Sequence, residues 1–137
     1  MPLRFRWSYL LALAALALAV VAGVALWPRL PAEIAVHFDA SGTPDNYVSK
    51  PVGVLLAPAI GLVAVGIVRY AERADPTADP RVLAVSVVFV GGLIAYVQGL
   101  VLAYNLGNAF SMTTALAPVF VAAAALVGYA LYREGVP

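Results

Sequence analysis

Along the chain, apolar residues gather into long uncharged runs, and polar residues fall into a few short gaps between them. The first run lies between Arg6 and Arg29, the second between Lys50 and Arg69, and the third extends from Val82 to Tyr132 without one Asp, Glu, Lys, Arg or His. A helix needs about 20 mostly apolar residues to cross roughly 30 Å of hydrocarbon, so the first two runs each predict one membrane span. The third is far too long for a single span and is interrupted by Asn105, Gly107, Asn108, Ser111, Thr113 and Thr114. It predicts two helices joined by a tight turn. The expected fold class is an all-α integral membrane protein, a single membrane domain over residues 1–137. Its four transmembrane helices are placed near 7–27, 52–70, 82–104 and 111–132, with a short β-hairpin-like loop over 28–50 between the first two.

Composition agrees: 64% of residues are hydrophobic and 11% charged, whereas a soluble domain carries about 45–50% apolar and 25% charged residues. A water-soluble globule is excluded. The net charge of +1 gives no basic excess to attract nucleic acid, and the absence of Cys removes disulfides, thiolate metal sites and Cys nucleophiles together. Trp7, Trp27, Tyr70, Tyr104 and Tyr132 mark the ends of the spans, where amphipathic rings favour the headgroup region. Arg4, Arg6, Arg69, Arg73, Arg81 and Arg133 fall on one side of the membrane against Arg29 and Lys50 on the other. The positive-inside rule then expects both termini in the cytoplasm and the 28–50 loop facing outward. The first apolar run exceeds the length of about 7 to 15 residues usual in a signal peptide, so it is expected to remain as a span.

Lipid tails are as apolar as Leu, so helices associate in a membrane through close packing of small residues and through hydrogen bonds. In the third helix Gly91, Ala95 and Gly99 recur at four-residue spacing, with Gln98 beside them; Ala57 and Gly61 repeat the spacing in the second helix, and Ala124 and Gly128 in the fourth. These stripes are expected to pack the helices of one chain together; a homodimer interface is the other use they could have. Pro58 and Pro118 lie well inside spans and should bend them. No ionisable side chain lies beside either bend to serve a transport pathway.

The loop carries the candidate chemistry. Ile34, Val36 and Phe38 alternate with Glu33, Ala35, His37 and Asp39, the period of an extended strand. Gly42 and Pro44 suit a turn, after which Tyr47 and Val48 could return as a second strand. In that geometry Ile34, Val36 and Phe38 face the helix ends while Glu33, His37 and Asp39 face water. Two readings stay open. His37, Asp39 and Asp45 could ligate a divalent cation, although Asp39 to Asp45 lacks the Gly and Glu placement of a calcium loop. Alternatively, Asp39, Ser41 and Asp45 bond turn amides in an ordered cap, with His37 on a backbone carbonyl. Lys50, just before Pro51 at the start of the second helix, sits where the helix dipole disfavours a cation. It is expected to tie the loop to the bundle through Asp45, Asp39, a lipid phosphate or an anionic ligand.

The string Leu30-Pro31, Ile34, His37-Phe38-Asp39, Ser41-Gly42, Pro44-Asp45 and Ser49-Lys50, followed by an apolar helix, resembles the N-terminal domain of unknown function in SdpI-type membrane proteins. The resemblance extends over about residues 7 to 82, with Asp79-Pro80-Arg81 similar to that family's turn before the next span. It implies a prokaryotic plasma-membrane protein and carries Pro31, His37, Phe38, Asp39, Gly42, Pro44, Asp45 and Lys50 over as the motif residues. Those proteins include an immunity protein that protects its producer from a secreted peptide toxin and signals through a membrane-tethered repressor. The second half that follows the domain there is replaced here by two plain hydrophobic helices. The expected function is non-catalytic recognition of an extracellular peptide or a partner membrane protein by the outward loop, with the lipid bilayer as surroundings and no cofactor. An accessory subunit of a larger membrane complex is the alternative. A transporter or channel is disfavoured by the lack of intramembrane charge. An enzyme is disfavoured because His37 with Asp39 has only Ser41 or Ser49 as nucleophile.

Overall fold

A computed structural model of the chain describes residues 3–135, with side chains from Trp7 onward; Arg4 and Arg6, used above for orientation, lie outside the described side chains. Four helices are long and apolar enough to cross a membrane. They are α1 (Leu3–Ala25), α2 (Lys50–Ala74), α3 (Pro80–Asn105) and α4 (Met112–Arg133). Between α1 and α2 come a 3-10 turn at Trp27–Arg29 and an antiparallel hairpin, β1 (Glu33–Phe38) with β2 (Pro44–Ser49). The hairpin and the α3–α4 turn lie at one end of the bundle, and the helix ends nearest the two termini lie at the other.

The helix ends follow from local chemistry. Pro28 cannot extend α1, which closes in the 3-10 turn two residues earlier than its apolar run suggests. At the start of α3, Pro80 takes the first helical position and Asp79 caps it, its Oδ1 accepting from the Arg81 amide at 2.8 Å. Ser111 caps α4 in the same way through the Thr114 amide at 3.2 Å. At its far end α2 outruns the expected span, because Arg69 and Glu72 pair at 2.7 Å and Tyr9 of α1 donates to Glu72 at 3.2 Å. Its 25 residues reach about 38 Å, past the hydrocarbon and into the headgroups.

The closest helix pair is α1 with α3. Ser8, Ala12, Leu16, Ala19 and Gly23 form the buried stripe of α1, at three- and four-residue spacing, and they face Val87, Gly91, Ile94 and Gln98 of α3. A Cβ on Gly91 would lie 2.7 Å from the Ala12 Cα, so backbone meets backbone there. Gly61 of α2 admits Leu16 and Ile94, whose atoms would be 2.6 and 2.8 Å from an added Cβ. Two apolar clusters result, Ala12–Leu16–Val65–Val87–Ile94 in the body of the bundle and Leu30–Ile34–Val54–Val101–Leu102 beneath the hairpin. Neither contains a residue of α4. In that helix Met112 alone is buried among the described residues, and Ala124 and Gly128 face outward.

Both prolines inside helices have a polar side chain of α3 bonded to a carbonyl in the turn before them. Pro58 has no N–H for the Val54 carbonyl, one turn before it; the Gln98 amide supplies that bond at 2.8 Å and a second, to the Ala19 carbonyl, at 3.2 Å. Gln98 is 1% exposed, and its Oε1 has no partner among the described residues. Near Pro118, the Tyr96 hydroxyl donates to the Ala115 carbonyl at 2.5 Å, in the turn that the proline loosens.

Gly91→Leu should force α1 and α3 apart and lower the melting temperature in detergent. Gly99→Leu, where an added Cβ meets nothing within 4 Å, should leave it unchanged. Parallel thermal unfolding of the two variants checks this.

Candidate functional site: a hairpin cap on the bundle

The hairpin is fastened to the helices at several points, and most of them involve backbone that the sequence pattern does not reveal. Ile34 is fully buried over Gly53 of α2, where an added Cβ would stand 2.5 Å from the Ile34 Cβ. Asn105, the last residue of α3, grips the free edge of β1: its Oδ1 accepts from the Ala35 amide at 2.9 Å, and its Nδ2 donates to the Ala35 carbonyl at 3.0 Å and to the Val101 carbonyl at 2.8 Å. An edge strand otherwise leaves such groups unpaired. Phe38 meets Tyr104 edge-on at 4.9 Å, and Tyr104 meets Phe110 at 5.9 Å, so rings join β1, α3 and the α3–α4 turn.

The tip folds around Asp39. Its Oδ1 accepts from the Ser41 amide at 2.9 Å, the Ser41 hydroxyl at 2.6 Å and the Thr43 amide at 3.0 Å. Gly42 takes φ +84°, a region that side chains disfavour, and an added Cβ would come within 3.3 Å of Thr113 Oγ1. That threonine donates to the Ala40 carbonyl at 3.2 Å, tying the tip to the start of α4. Pro44 opens β2, and Pro31 precedes β1.

The strand pairing is not regular. Ala35 pairs with Tyr47, His37 with Asn46 and Phe38 with Pro44, which leaves Val36 and Asp45 as bulged residues. The inward residues are therefore Ile34 and Ala35, with Val36 and Phe38 partly covered, in place of the strict Ile34, Val36, Phe38 alternation. The same irregularity brings the exposed His37 and Asp45 together, Nδ1 to Oδ1 at 2.5 Å. Asp39 is engaged by its own turn, and the three expected ligands His37, Asp39 and Asp45 do not converge. Among the described residues no group of three His, Asp or Glu side chains is placed to hold a metal ion. Of the expected amide-binding residues, Asp39 alone caps the turn, since Asp45 and His37 serve each other.

Lys50 does tie parts together, through a partner not among those expected. Its Nζ donates to the Trp27 carbonyl at 2.9 Å and lies 5.4 Å from the centre of the Trp27 ring. The carbonyl of the first residue of the 3-10 turn, two residues past the end of α1, thus holds the cation at the start of α2. Glu33, His37, Asp39, Asp45, Asn46 and Tyr47 remain on the open face, with Tyr47 54% exposed. The signals that would have identified Asn105 and Thr113 are slight: each is a polar residue at a helix end that could have been expected to cap its own helix, and each bonds the hairpin instead.

The Ser41 hydroxyl foremost, and then the Thr43 amide, hold the Asp39 carboxyl below its ordinary value of 3.8. A carboxyl lowered on folding stabilises the fold above its unfolded value, and that contribution is lost as pH falls through the folded value. The tip should therefore keep the Thr43 amide protected across neutral and mildly acidic pH and release it only in strong acid. Asp39→Ala should remove that protection at every pH, and Asn105→Ala should remove it at Ala35. Residue-resolved hydrogen exchange checks both.

Comparison with known proteins bears on part of this assembly. No curated protein and no solved structure matches the chain. The region from the middle of α1 through the hairpin to the first half of α2, residues 14–62, matches the family model described as Domain of unknown function (DUF1648), the type of domain that the hairpin motif resembles.

Proposed function

We propose that this multi-pass membrane protein acts without catalysis, as a recognition module whose hairpin faces outward from the plasma membrane and binds an extracellular peptide or a neighbouring membrane protein, in an immunity-like or signalling-like role. The observation that carries the reading is the anchoring of the hairpin. Asn105, Gly53, Tyr104 and Thr113 hold one side against the bundle, while Tyr47, His37 and Asn46 stay open on the other. A surface fixed before binding loses little conformational entropy when a partner arrives. An exposed tyrosine offers large contact area with only two side-chain torsions to freeze.

The orientation rests on charge: Arg69, Arg73, Arg81 and Arg133 cluster toward the end with the termini, against Arg29 and Lys50 at the hairpin end. By the positive-inside rule the hairpin is then extracytoplasmic. A second reading, an accessory subunit of a larger membrane complex, is favoured by Gly99 and Gly128, around which no atom would contact an added Cβ.

The chain has no Cys, so single introduced thiols report cleanly. A membrane-impermeant maleimide on intact cells should modify Thr43→Cys and spare Thr77→Cys; the reverse would overturn the orientation. A photo-crosslinker replacing Tyr47 in native membranes should give a discrete adduct that weakens in His37→Ala. Adducts formed only from a crosslinker at Phe120 on α4 would favour the accessory-subunit reading.

A further inference from the structure

α4 is attached differently from the other three helices. Two of its polar ties lie in its first turn, the Thr113 hydroxyl to the Ala40 carbonyl at 3.2 Å and the Ala115 carbonyl to the Tyr96 hydroxyl at 2.5 Å. The next tie in the described residues is at the opposite end, where Arg133 Nε meets Asp79 Oδ2 at 2.9 Å. Between them stands Pro118, just past the first pair. Beside it an apolar groove of about 280 Å³ separates α4 from α3, lined by Phe89, Gly92, Leu93, Val119 and Ala122.

We propose that α4 is a hinged arm, whose half beyond Pro118 swings away from α3 when the Arg133–Asp79 pair opens, while its first turn stays clipped to the hairpin and to Tyr96. In water, parting two apolar helices exposes hydrocarbon to solvent. In a bilayer the separating faces meet acyl chains that are as apolar as the residues they leave, so the motion meets no hydrophobic barrier. What resists it is van der Waals packing, which is sparse where α4 buries only Met112, and the single ion pair at the end. Pro118 supplies the pivot, because the helix lacks one backbone bond there and Tyr96 fixes the turn on its near side. Asp79 is well placed as the fixed half of the latch: it also caps α3 through the Arg81 amide at 2.8 Å, so its carboxylate stays in position when the arginine leaves. A polar cavity lined by Asp75, Thr77, Asp79, Arg81 and Arg133 opens the pair to the aqueous phase.

The test uses spin-label pairs on introduced cysteines in the full chain, reconstituted in phosphatidylcholine nanodiscs. Ile67 with Leu131 reports the far half of α4, Leu55 with Ala117 the clipped turn, and Leu18 with Ile60 the three-helix core; all six side chains are exposed. In Arg133→Gln the Ile67–Leu131 distances should shift to longer values and broaden, with the other two pairs unchanged. Arg133→Lys, which keeps a cation within reach of Asp79, should hold the wild-type distances. Unchanged Ile67–Leu131 distances in Arg133→Gln would overturn the latch, as would equal shifts in Arg133→Lys and Arg133→Gln or a broad wild-type distribution. Movement of the Leu55–Ala117 or Leu18–Ile60 pair would overturn the hinge at Pro118.

Discussion

A helix carbonyl without an N–H partner has no water to turn to in hydrocarbon, and that constraint organises this molecule. Pro58 creates such a carbonyl at Val54, in the buried cluster beneath the hairpin, and Gln98 answers it from the neighbouring helix. The same amide reaches the Ala19 carbonyl of α1, so one side chain joins three helices where Gly23 lets α1 close on α2, an added Cβ there standing 2.5 Å from Val54 Cγ1 and 3.4 Å from Gln98 Nε2. Gly91 against Ala12 and Gly61 against Leu16 are further close approaches, about two turns away along the helices. Proline and glutamine, each unfavourable alone inside a membrane, form a unit in which one removes the donor that the other provides.

From this centre the hairpin end is built outward. Val54 and Val101, close to the Gln98 crossing, lie in the cluster that buries Ile34 and Leu30. Four residues beyond Val101, Asn105 reaches both that residue's carbonyl and the strand edge. The hairpin thus sits on a floor that is rigid because the α1–α2–α3 crossing beneath it is rigid, which is why its open face can stay in one arrangement without a core of its own. α4 contributes Thr113 to this cap and little else, so the hairpin end of the bundle depends chiefly on the first three helices.

The four spans were legible because uncharged runs of membrane length admit few other structures. The helix ends were less so: Arg69 and Glu72 mark the edge of the hydrocarbon but continue the helix as an ion pair. The small-residue stripe on α3 was half legible. Eight residues turn a helix by two full turns and about 80° more, so Gly91 lies in the α1 contact while Gly99 has rotated out of it. In α4 the same spacing has no partner among the described residues. In the hairpin, period two located the strand, but the bulges at Val36 and Asp45 reassigned its faces, burying Ala35 and pairing His37 with Asp45 in place of Asp39. Bonds from Asn105 to a backbone 70 residues away leave no periodic trace and could not be read from the sequence.

The account stands most directly on Gln98 replacing the N–H that Pro58 lacks. Reversible unfolding of Gln98→Met, Pro58→Ala and the double variant in mixed micelles measures that replacement as a coupling. Gln98→Met should cost about 1 kcal/mol when Pro58 is present and much less in the Pro58→Ala background, where the helix supplies its own donor to Val54. An equal cost in both backgrounds would contradict the account.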